Sequence, residues 1–465
     1  MLSHMSSMRK ILPVLICLVM FTGGAALYAQ DAGAQAPAPE APAAPAPDAA
    51  AAAAPPKIDT GDTAWVLVST ALVLAMTAPG VALFYGGMVR TKNALSTFLQ
   101  SFIILCLISI QWVLWGYSLA FGPDVGGIVG SLAWFGLNGV GGEPNADYAP
   151  TIPHHAFMLF QMMFAVITPA LITGAFAERV KFSSFILFTL LWATFIYDPL
   201  AHWVWGVGGW LRNFGVLDFA GGTVVHISSG VAGLVCAIVV KRRLGHGKEP
   251  MSPHNLPMTL LGASLLWFGW FGFNAGSALT SGALAASTFL VTNTATAASA
   301  LTWMIAEWMY RGKPSALGAA SGAVAGLVAI TPASGFVGPM SSIWIGIGAG
   351  VLCYTAVMLK PLFGYDDALD AVGVHGVGGT WGALATGLFA SKAVNSAGAD
   401  GLFFGNPKQL IIQAMAVLVT WVFVFVGTII VLAVVAAITG LRVNEEEEQS
   451  GLDLSQHDEK AYSQG

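Results

Sequence analysis

Long apolar stretches separated by short polar segments fill the chain between residues 63 and 440. A helix needs about 20 predominantly apolar residues to cross the hydrocarbon core of a bilayer. The pattern therefore predicts eleven membrane-spanning helices, near 63–86, 94–121, 155–177, 182–205, 220–240, 256–275, 283–309, 315–331, 341–362, 371–391 and 409–440. The eighth is short, and its Gly318, Gly322 and Gly326 repeat every four residues, a spacing that lets two helices approach closely.

Composition agrees with this pattern. Of the 465 residues, 56% are hydrophobic and only 9% are charged, against about 25% charged in an ordinary soluble domain. These values exclude a soluble globular enzyme, a nucleic-acid-binding protein and a disordered protein. The four cysteines show no CxxC spacing, so the sequence suggests neither a disulfide framework nor a zinc site. The predicted fold class is an all-α polytopic membrane protein.

The N-terminal segment resembles a secretory signal. Arg9 and Lys10 precede an apolar run that ends at Phe21, and small residues continue to Ala29. This layout predicts a signal peptide over residues 1–29, because the apolar run is short for a spanning helix. An uncleaved anchor is the alternative.

Two further segments flank the membrane domain predicted over residues 62–440. Residues 30–61 form an Ala/Pro-rich linker, which cannot build a core and is expected to extend into the periplasm. Residues 441–465 form a polar tail in which Glu445 to Glu448 stand in a row. A solvated charge run is the simplest interpretation of that row, and a regulatory tail is the alternative.

The basic residues between the spans are unevenly distributed. Alternate loops and the segment after the last span hold twelve of them: Arg90, Lys92, Arg179, Lys181, Lys241, Arg242, Arg243, Lys248, Arg311, Lys313, Lys360 and Arg442. The other loops hold Arg212, Lys392 and Lys408. Basic loops stay cytoplasmic. The bias predicts a multi-pass membrane protein with its N-terminus outside after signal cleavage and a cytoplasmic C-terminus.

Two histidines lie well inside predicted spans, and each follows an aspartate by eight residues. Asp218 precedes His226 at the start of the fifth span, and Asp367 precedes His375 at the start of the tenth. These two spans run in opposite directions, and each histidine lies roughly 12 Å in from its own end. Both imidazoles are therefore expected near the middle of the membrane, where polar groups are costly and usually functional. A structural hydrogen bond to a neighbouring helix is the alternative role.

Equal spacing on oppositely directed helices suggests an inverted repeat. We expect residues 62–241 and 256–391 to form two five-helix halves, with the eleventh helix, 409–440, added to them. Transporters commonly place their substrate site between such halves. Two histidines without a third ligand make a poor zinc site, so no metal is expected.

Aromatic residues cluster near the same spans. Phe160 and Phe164 lie one turn apart in the third span, Trp205 ends the fourth, and the sixth carries the segment WFGWFGFNAGS. For each ring alone, an interfacial belt or core packing is the simpler explanation. As a group they fit a cation site, because an aromatic face attracts a desolvated cation by about 0.5–2 kcal/mol.

The sequence resembles the ammonium transporter family (Amt/MEP/Rh), and its bacterial Amt branch most closely. The matching segments are FYGGMVRTKN, GAFAERVKF, AHWVWG, DFAGGTVVH, GWFGFNAGS, DDALDAVGVHG and the tail from Gly440 to Tyr462. They occur in order from about Asp62 to Tyr462, nearly the whole chain after the predicted signal peptide.

The resemblance implies a role for each matching position. An outer site recruits ammonium, at positions that match Phe160, Trp205 and Ser277, and Asp218 shapes that site rather than binding directly. Phe164 and Phe273 match a pair of stacked rings that gates the pore. His226 and His375 match twin histidines in an apolar lumen, with Asp367 and Asn274 as supporting residues.

It also implies partners and a function. The expected protein is a homotrimeric ammonium channel without a cofactor, which deprotonates ammonium and conducts ammonia. The bacterial branch implies a place in the bacterial inner membrane, with a periplasmic N-terminus and a cytoplasmic C-terminus. Its tail is expected to pack under the neighbouring subunit and to work with a PII-type nitrogen signalling protein. A Rh-like channel for neutral gas and an ammonium sensor acting through the tail are the alternatives. An enzyme is disfavoured, because the sequence has no nucleophile–base or metal-binding pattern.

Overall fold

The computed structural model describes residues 57–462. The predicted signal peptide, the linker up to residue 56 and the last three residues of the tail lie outside the described residues. Helices occupy all eleven segments that the apolar pattern predicts.

These helices are labelled here in chain order. They are α1 Thr60–Met88, α2 Ala94–Phe121, α3 His154–Phe176, α4 Phe182–Trp205, α5 Gly222–Val240, α6 Leu256–Ala275, α7 Ala283–Arg311, α8 Ala316–Ile330, α9 Pro339–Phe363, α10 Val372–Phe389 and α11 Pro407–Thr439. A short helix, Trp210–Phe214, lies in the connection between α4 and α5. Two short helices follow in the tail, α12 Glu445–Ser450 and α13 Leu452–His457. A two-stranded antiparallel ribbon, β1 Asp124–Val125 and β2 Val129–Gly130, lies between α2 and α3.

Within residues 57–462, nine of these helices are long and apolar enough to cross a membrane. The protein is therefore a helical, multi-pass membrane protein. The remaining two predicted spans are α8, which has 15 residues, and α10, which is rich in glycine and contains His375. The count of eleven spans stays a prediction.

The glycine spacing of α8 has the predicted consequence. A Cβ atom added to Gly322 would lie 2.6 Å from Cβ of Trp303, and one added to Gly326 would lie 2.6 Å from Cβ of Ser299. Both partners belong to α7. The two helices thus approach each other closely along this stripe of small residues, as such spacing allows in membranes.

Wide π-helical turns interrupt several helices. In the described chain they are Met76–Val81 in α1, Trp112–Gly116 in α2, Ala193–Tyr197 in α4, Gly222–Ile227 in α5 and Val372–Val377 in α10. Such turns often occur at functional sites. The last two contain His226 and His375, so both histidines stand where the helix is locally widened.

The loops gather on two opposite faces. The basic face is defined by the loops 89–93, 177–181, 241–255 and 364–371 together with the tail, which contact one another. The aromatic face is defined by the loops 122–153, 206–221 and 276–282, beside which Trp205 and Tyr148 lie.

A buried ion-pair cluster ties the loops of the basic face together. Arg90 donates to Glu178 from its Nε and its backbone N–H, both at 2.7 Å, and Arg243 donates to Asp366 from Nη2 at 2.8 Å. Burial alone would raise the pKa of Asp366, but the hydrogen bonds and charge of Arg243 outweigh it and hold this pKa well below its usual range. The Asp366 carboxylate therefore stays ionised at acidic pH values at which most carboxyl groups are protonated.

The tail packs on this cluster and is more than a solvated charge run. The Glu448 carboxylate, only 1% exposed, accepts the backbone N–H of Leu244 at 2.7 Å and Nη2 of Arg442 at 2.5 Å. The Asp453 carboxylate accepts the N–H of Ser96 at 2.7 Å, near the start of α2. These contacts lie within a single chain and hold the tail against its own loops.

Candidate functional site

A cavity of about 170 Å³ opens on the aromatic face. Its wall combines aromatic rings with a few polar groups: Phe121, Asp147, Tyr148, Phe157, Gln161, Phe164, Trp205, Arg212, Phe219, Ser277 and Leu279. The cavity thus contains three predicted site residues, Phe164, Trp205 and Ser277. Aromatic faces with a few oxygen acceptors are suited to a small cation.

The indole ring of Trp205 is fixed in this wall by hydrogen bonds. Its Nε1–H donates to the backbone carbonyl of Asp218 at 2.9 Å, and its own carbonyl accepts Nη1 of Arg212 at 2.6 Å. The ring also meets Phe164 edge to face, with centroids 5.8 Å apart.

Asp218 lies behind the wall and caps the start of α5. Its carboxylate accepts the backbone N–H groups of Gly221 at 2.9 Å, Gly222 at 2.6 Å and Thr223 at 2.8 Å, and it also accepts the Thr223 hydroxyl. A carboxylate is stabilising at this end of a helix. With its oxygens taken up in this way, Asp218 shapes the site through the backbone rather than facing into it.

Ser277 presents an acceptor to the cavity. Its hydroxyl donates to the backbone carbonyl of Phe273 at 2.9 Å. The donated proton leaves the oxygen lone pairs free to accept a hydrogen bond from a bound cation.

The structure does not place Phe160 in the wall. Phe160 is fully buried and packs edge to face on Phe164, with ring centroids 5.1 Å apart. The two phenylalanines are one turn apart, so sequence spacing gives them the same helix face. Tertiary packing then brings only Phe164 to the cavity, and Phe160 supports it from behind.

Two rings close the floor of the cavity. Phe164 and Phe273 lie with centroids 4.3 Å apart and planes tilted by 30°, and both are buried. The Phe273 centroid is in turn 6.0 Å from that of His226. These are the two residues to which the family resemblance assigns the gate.

Below the floor, His226 and His375 come into contact as predicted. Their ring centroids are 5.4 Å apart, and their Nδ1 atoms are 3.3 Å apart, within hydrogen-bonding distance. One Nδ1 must carry a proton and the other must accept it. Both residues are buried, and among the described residues Nε2 of His226 has no hydrogen-bond partner.

Trp270 forms one wall beside the histidines. Its ring stacks on His226 with centroids 5.4 Å apart, and its Nε1–H donates to the hydroxyl of Thr331 at 2.9 Å. Asn274 holds this arrangement, because its Oδ1 accepts the Thr331 hydroxyl at 3.3 Å and its Nδ2 donates to Thr292 at 3.0 Å.

Glycines let α5 and α10 cross closely enough for the rings to meet. A Cβ atom added to Gly230 would lie 2.1 Å from the backbone nitrogen of Gly376, and one added to Gly379 would lie 2.9 Å from Cβ of His226. Asp367 caps α10 as Asp218 caps α5, accepting the N–H of Val372 at 2.8 Å. The two aspartate–histidine segments thus have matching local geometry.

Several residues of the site escaped the sequence analysis. Asp147, Tyr148 and Arg212 line the cavity from loops, where the residue pattern carries no periodic signal. Trp270 belongs to the aromatic segment WFGWFGFNAGS that the sequence analysis singled out, but its place beside His226 was not predicted. The described part of the chain has no group of three or more His, Cys, Asp or Glu residues placed to hold a metal ion.

A family model described as Ammonium Transporter Family matches residues 64–462. The chain belongs to the ammonium transporter family. The "Ammonium transporter" of Bacillus subtilis (strain 168) is 58% identical over 404 residues, which cover 86% of this chain and 98% of that protein.

Two solved structures extend the comparison to the fold. The crystal structure of Saccharomyces cerevisiae Mep2 has a TM-score of 0.79 at 37% identity, covering 84% of this chain and 89% of Mep2. A structure titled "Sensor Amt Protein" has a TM-score of 0.77 at 32% identity, covering 85% of this chain and 98% of that one.

Proposed function

We propose that this member of the ammonium transporter family recruits ammonium in the aromatic cavity, deprotonates it and conducts ammonia past the histidine pair toward the basic face. The observation that carries this proposal is a continuous series of contacts. It runs from Trp205 at the cavity wall through Phe164 and Phe273 to His226 and His375.

Recruitment requires compensation for the water that ammonium loses. The ring faces of Trp205 and Phe164 attract the cation, and the oxygen of Ser277 accepts one of its N–H groups. Potassium has a similar size and charge, but it can neither donate a hydrogen bond nor lose a proton. The wall therefore discriminates only in part, and the pore below has to complete the selection.

The pore completes it by excluding charge. The region around the gate is apolar and buried, so any cation that enters it intact pays a high desolvation cost. Ammonium can instead give its proton to the imidazole pair and pass as neutral ammonia. The pair passes the proton on toward the basic face, so that each ammonium transferred carries one charge across. The imidazole pair supplies a proton acceptor below the gate, because the ring that donates its Nδ1–H to the other ring has an unprotonated Nε2.

We further infer eleven spans in two inverted halves, with the basic face in the cytoplasm and three subunits per assembly. The matching Asp218–His226 and Asp367–His375 segments support the inverted halves. The excess of basic residues in the loops of one face supports the orientation. The trimer and a PII-type partner at the tail rest on the family resemblance.

A sensor is the second candidate function. Similarity to the structure titled "Sensor Amt Protein" favours it, and the buried contacts of the tail offer a route by which the membrane domain can signal. A Rh-like neutral gas channel is less well supported, because Trp205 and Ser277 line a cavity suited to a cation, which a neutral gas does not need.

Recruitment is tested by replacing Trp205 with Leu. Loss of the indole face is expected to raise the half-saturating ammonium concentration by about 2- to 30-fold, the factor that corresponds to 0.5–2 kcal/mol of cation–π energy. The measurement is ammonium-driven current in proteoliposomes over a range of concentrations. Trp210→Leu is the matched control, because Trp210 lies on the same face outside the cavity. If the half-saturating ammonium concentration is unchanged in Trp205→Leu, the cavity does not recruit ammonium and this part of the proposal is wrong.

The tail is tested by truncation. Deleting residues 442–465 removes the carboxylates of Glu448 and Asp453 and leaves the N–H groups of Leu244 and Ser96 without these partners. We expect reduced flux, or loss of its shut-off by nitrogen status. Deleting residues 460–465 is the control, because it keeps both carboxylates. If the longer deletion leaves flux and regulation normal, the tail is only a solvated charged segment and has no regulatory role.

A further inference from the structure

A second cavity lies on the basic face, where α5 and α9 end and the tail begins. It has a volume of about 880 Å³ and is open to the surface. Lys241, Arg242 and Arg442 contribute positive charge to its wall, and Ile238 and Phe363 contribute apolar surface. None of these residues belongs to the series of contacts that forms the pore.

The apolar side of this cavity continues outward along the helices. Leu362 is 77% exposed, Phe363 is 74% exposed and Ile238 is 52% exposed. They stand in the last turns of α5 and α9, the ends at which these two predicted spans are expected to reach the membrane surface. Large apolar side chains so exposed at that level face lipid acyl chains, whereas the cations just beyond them reach the headgroup layer.

The cationic side chains of the wall differ in how many hydrogen-bond and ion-pair partners they already have. Arg442 pairs with Glu448, and Nε of Arg242 donates to the backbone carbonyl of Gly364 at 2.8 Å. Among residues 57–462, the Lys241 ammonium has no hydrogen bond or ion pair, and the terminal nitrogens of Arg242 are not used either. One acid, Glu445, lines the cavity, so the positive charges prevail.

We propose that this cavity binds the headgroup of an anionic phospholipid, with the phosphate on Lys241 and Arg242 and the acyl chains along Ile238, Leu362 and Phe363. Basic pockets between helix ends on the cytoplasmic side are suited to anionic headgroups. The apolar wall favours a membrane lipid over a soluble phosphate, which has nothing to bury against it. Lipid bound here contacts α5, α9 and the tail at once.

The test uses the full chain purified in detergent, with binding of phosphatidylglycerol and phosphatidylcholine measured by native mass spectrometry. We expect phosphatidylglycerol to bind more tightly. The double variant Lys241→Gln/Arg242→Gln should weaken it roughly 25-fold, about five-fold for each charge removed. Phe363→Ser should weaken both lipids, because it removes acyl-chain contact. Thermal unfolding without added lipid verifies that each variant is folded.

The double variant Lys248→Gln/Lys313→Gln is the matched control, since both lysines are exposed, belong to the basic set of loops and lie outside the cavity. It should bind phosphatidylglycerol like the wild type. An equal loss in the control would show a non-specific surface charge and overturn the proposal. If glycerol 3-phosphate displaces phosphatidylglycerol and binds with the same affinity as the lipid, the cavity is a site for a soluble phosphate instead. If a second copy of the chain covers the cavity, the wild type and the Lys241/Arg242 variant will bind phosphatidylglycerol equally well. That result would also overturn the proposal.

Discussion

Replacing either His226 or His375 with Ala is expected to abolish ammonium-driven current or to open a leak for potassium. The two rings share a hydrogen bond between Nδ1 atoms 3.3 Å apart, so each ring orients the other. Removing one ring takes away a proton acceptor and leaves the other without its partner. A positioned acid–base group accelerates proton transfer by about 100-fold or more, and the current should fall by a comparable factor.

The leak has a separate physical cause. Alanine leaves a space in the lumen beside Trp270 and Phe273, which both pack on His226. Water that fills such a space lowers the cost of bringing a hydrated cation through. Loss of current and gain of potassium conduction are therefore two consequences of the same substitution.

Recording on proteoliposomes with ammonium and potassium gradients distinguishes these outcomes. His155→Ala is the control, because His155 is exposed at the start of α3, away from the lumen. Wild-type current and selectivity in both single lumen variants would make the histidines structural and end the deprotonation mechanism. Loss of current in His155→Ala would point to a general loss of folded protein.

Gly230→Ala is expected to separate α5 from α10 and to destabilise the protein by about 1–3 kcal/mol, the usual cost of overpacking a close contact. The new methyl group would stand 2.1 Å from the backbone nitrogen of Gly376. Backbone cannot rotate away as a flexible side chain can, so the helices must move apart and carry the imidazoles with them.

Gly376→Ala supplies the matched control from the other side of the crossing. Its added Cβ would meet Gly230 no closer than 3.5 Å, an ordinary van der Waals distance. Thermal unfolding and ammonium current should therefore be impaired in Gly230→Ala and nearly unchanged in Gly376→Ala. Equal behaviour of the two variants would mean that the crossing distance does not control the histidine contact.

Much of this architecture could be predicted from the sequence alone, because a membrane helix is identified by a continuous run of apolar residues. Every apolar segment became a helix, and the eight-residue spacing from Asp218 to His226 and from Asp367 to His375 anticipated two similar segments whose rings meet. The aspartates lie at helix starts, where their partners are the next few backbone N–H groups. Such features depend on residues close in the chain.

Features that depend on distant residues were harder to anticipate. Phe160 and Phe164 share a helix face, and the choice between them is made by Trp205 and Phe273 on other helices. The acidic run in the tail gave no sign that Glu448 alone is buried while Glu445 and Glu446 are exposed. Glu448 is the one buried because its carboxylate reaches the backbone N–H of Leu244 and the guanidinium of Arg442.

The contacts of the tail also determine when folding can finish. Asp453 and Leu452 bind backbone and side-chain groups at Ser96 and Asn93, with more than 350 residues between the partners. A chain emerging from the ribosome makes the start of α2 long before it makes these residues. Until the final segment is synthesised, the first turn of α2 lacks its capping carboxylate. Complete synthesis is thus required before the loops of the basic face reach their final arrangement, and a prematurely terminated chain leaves them open.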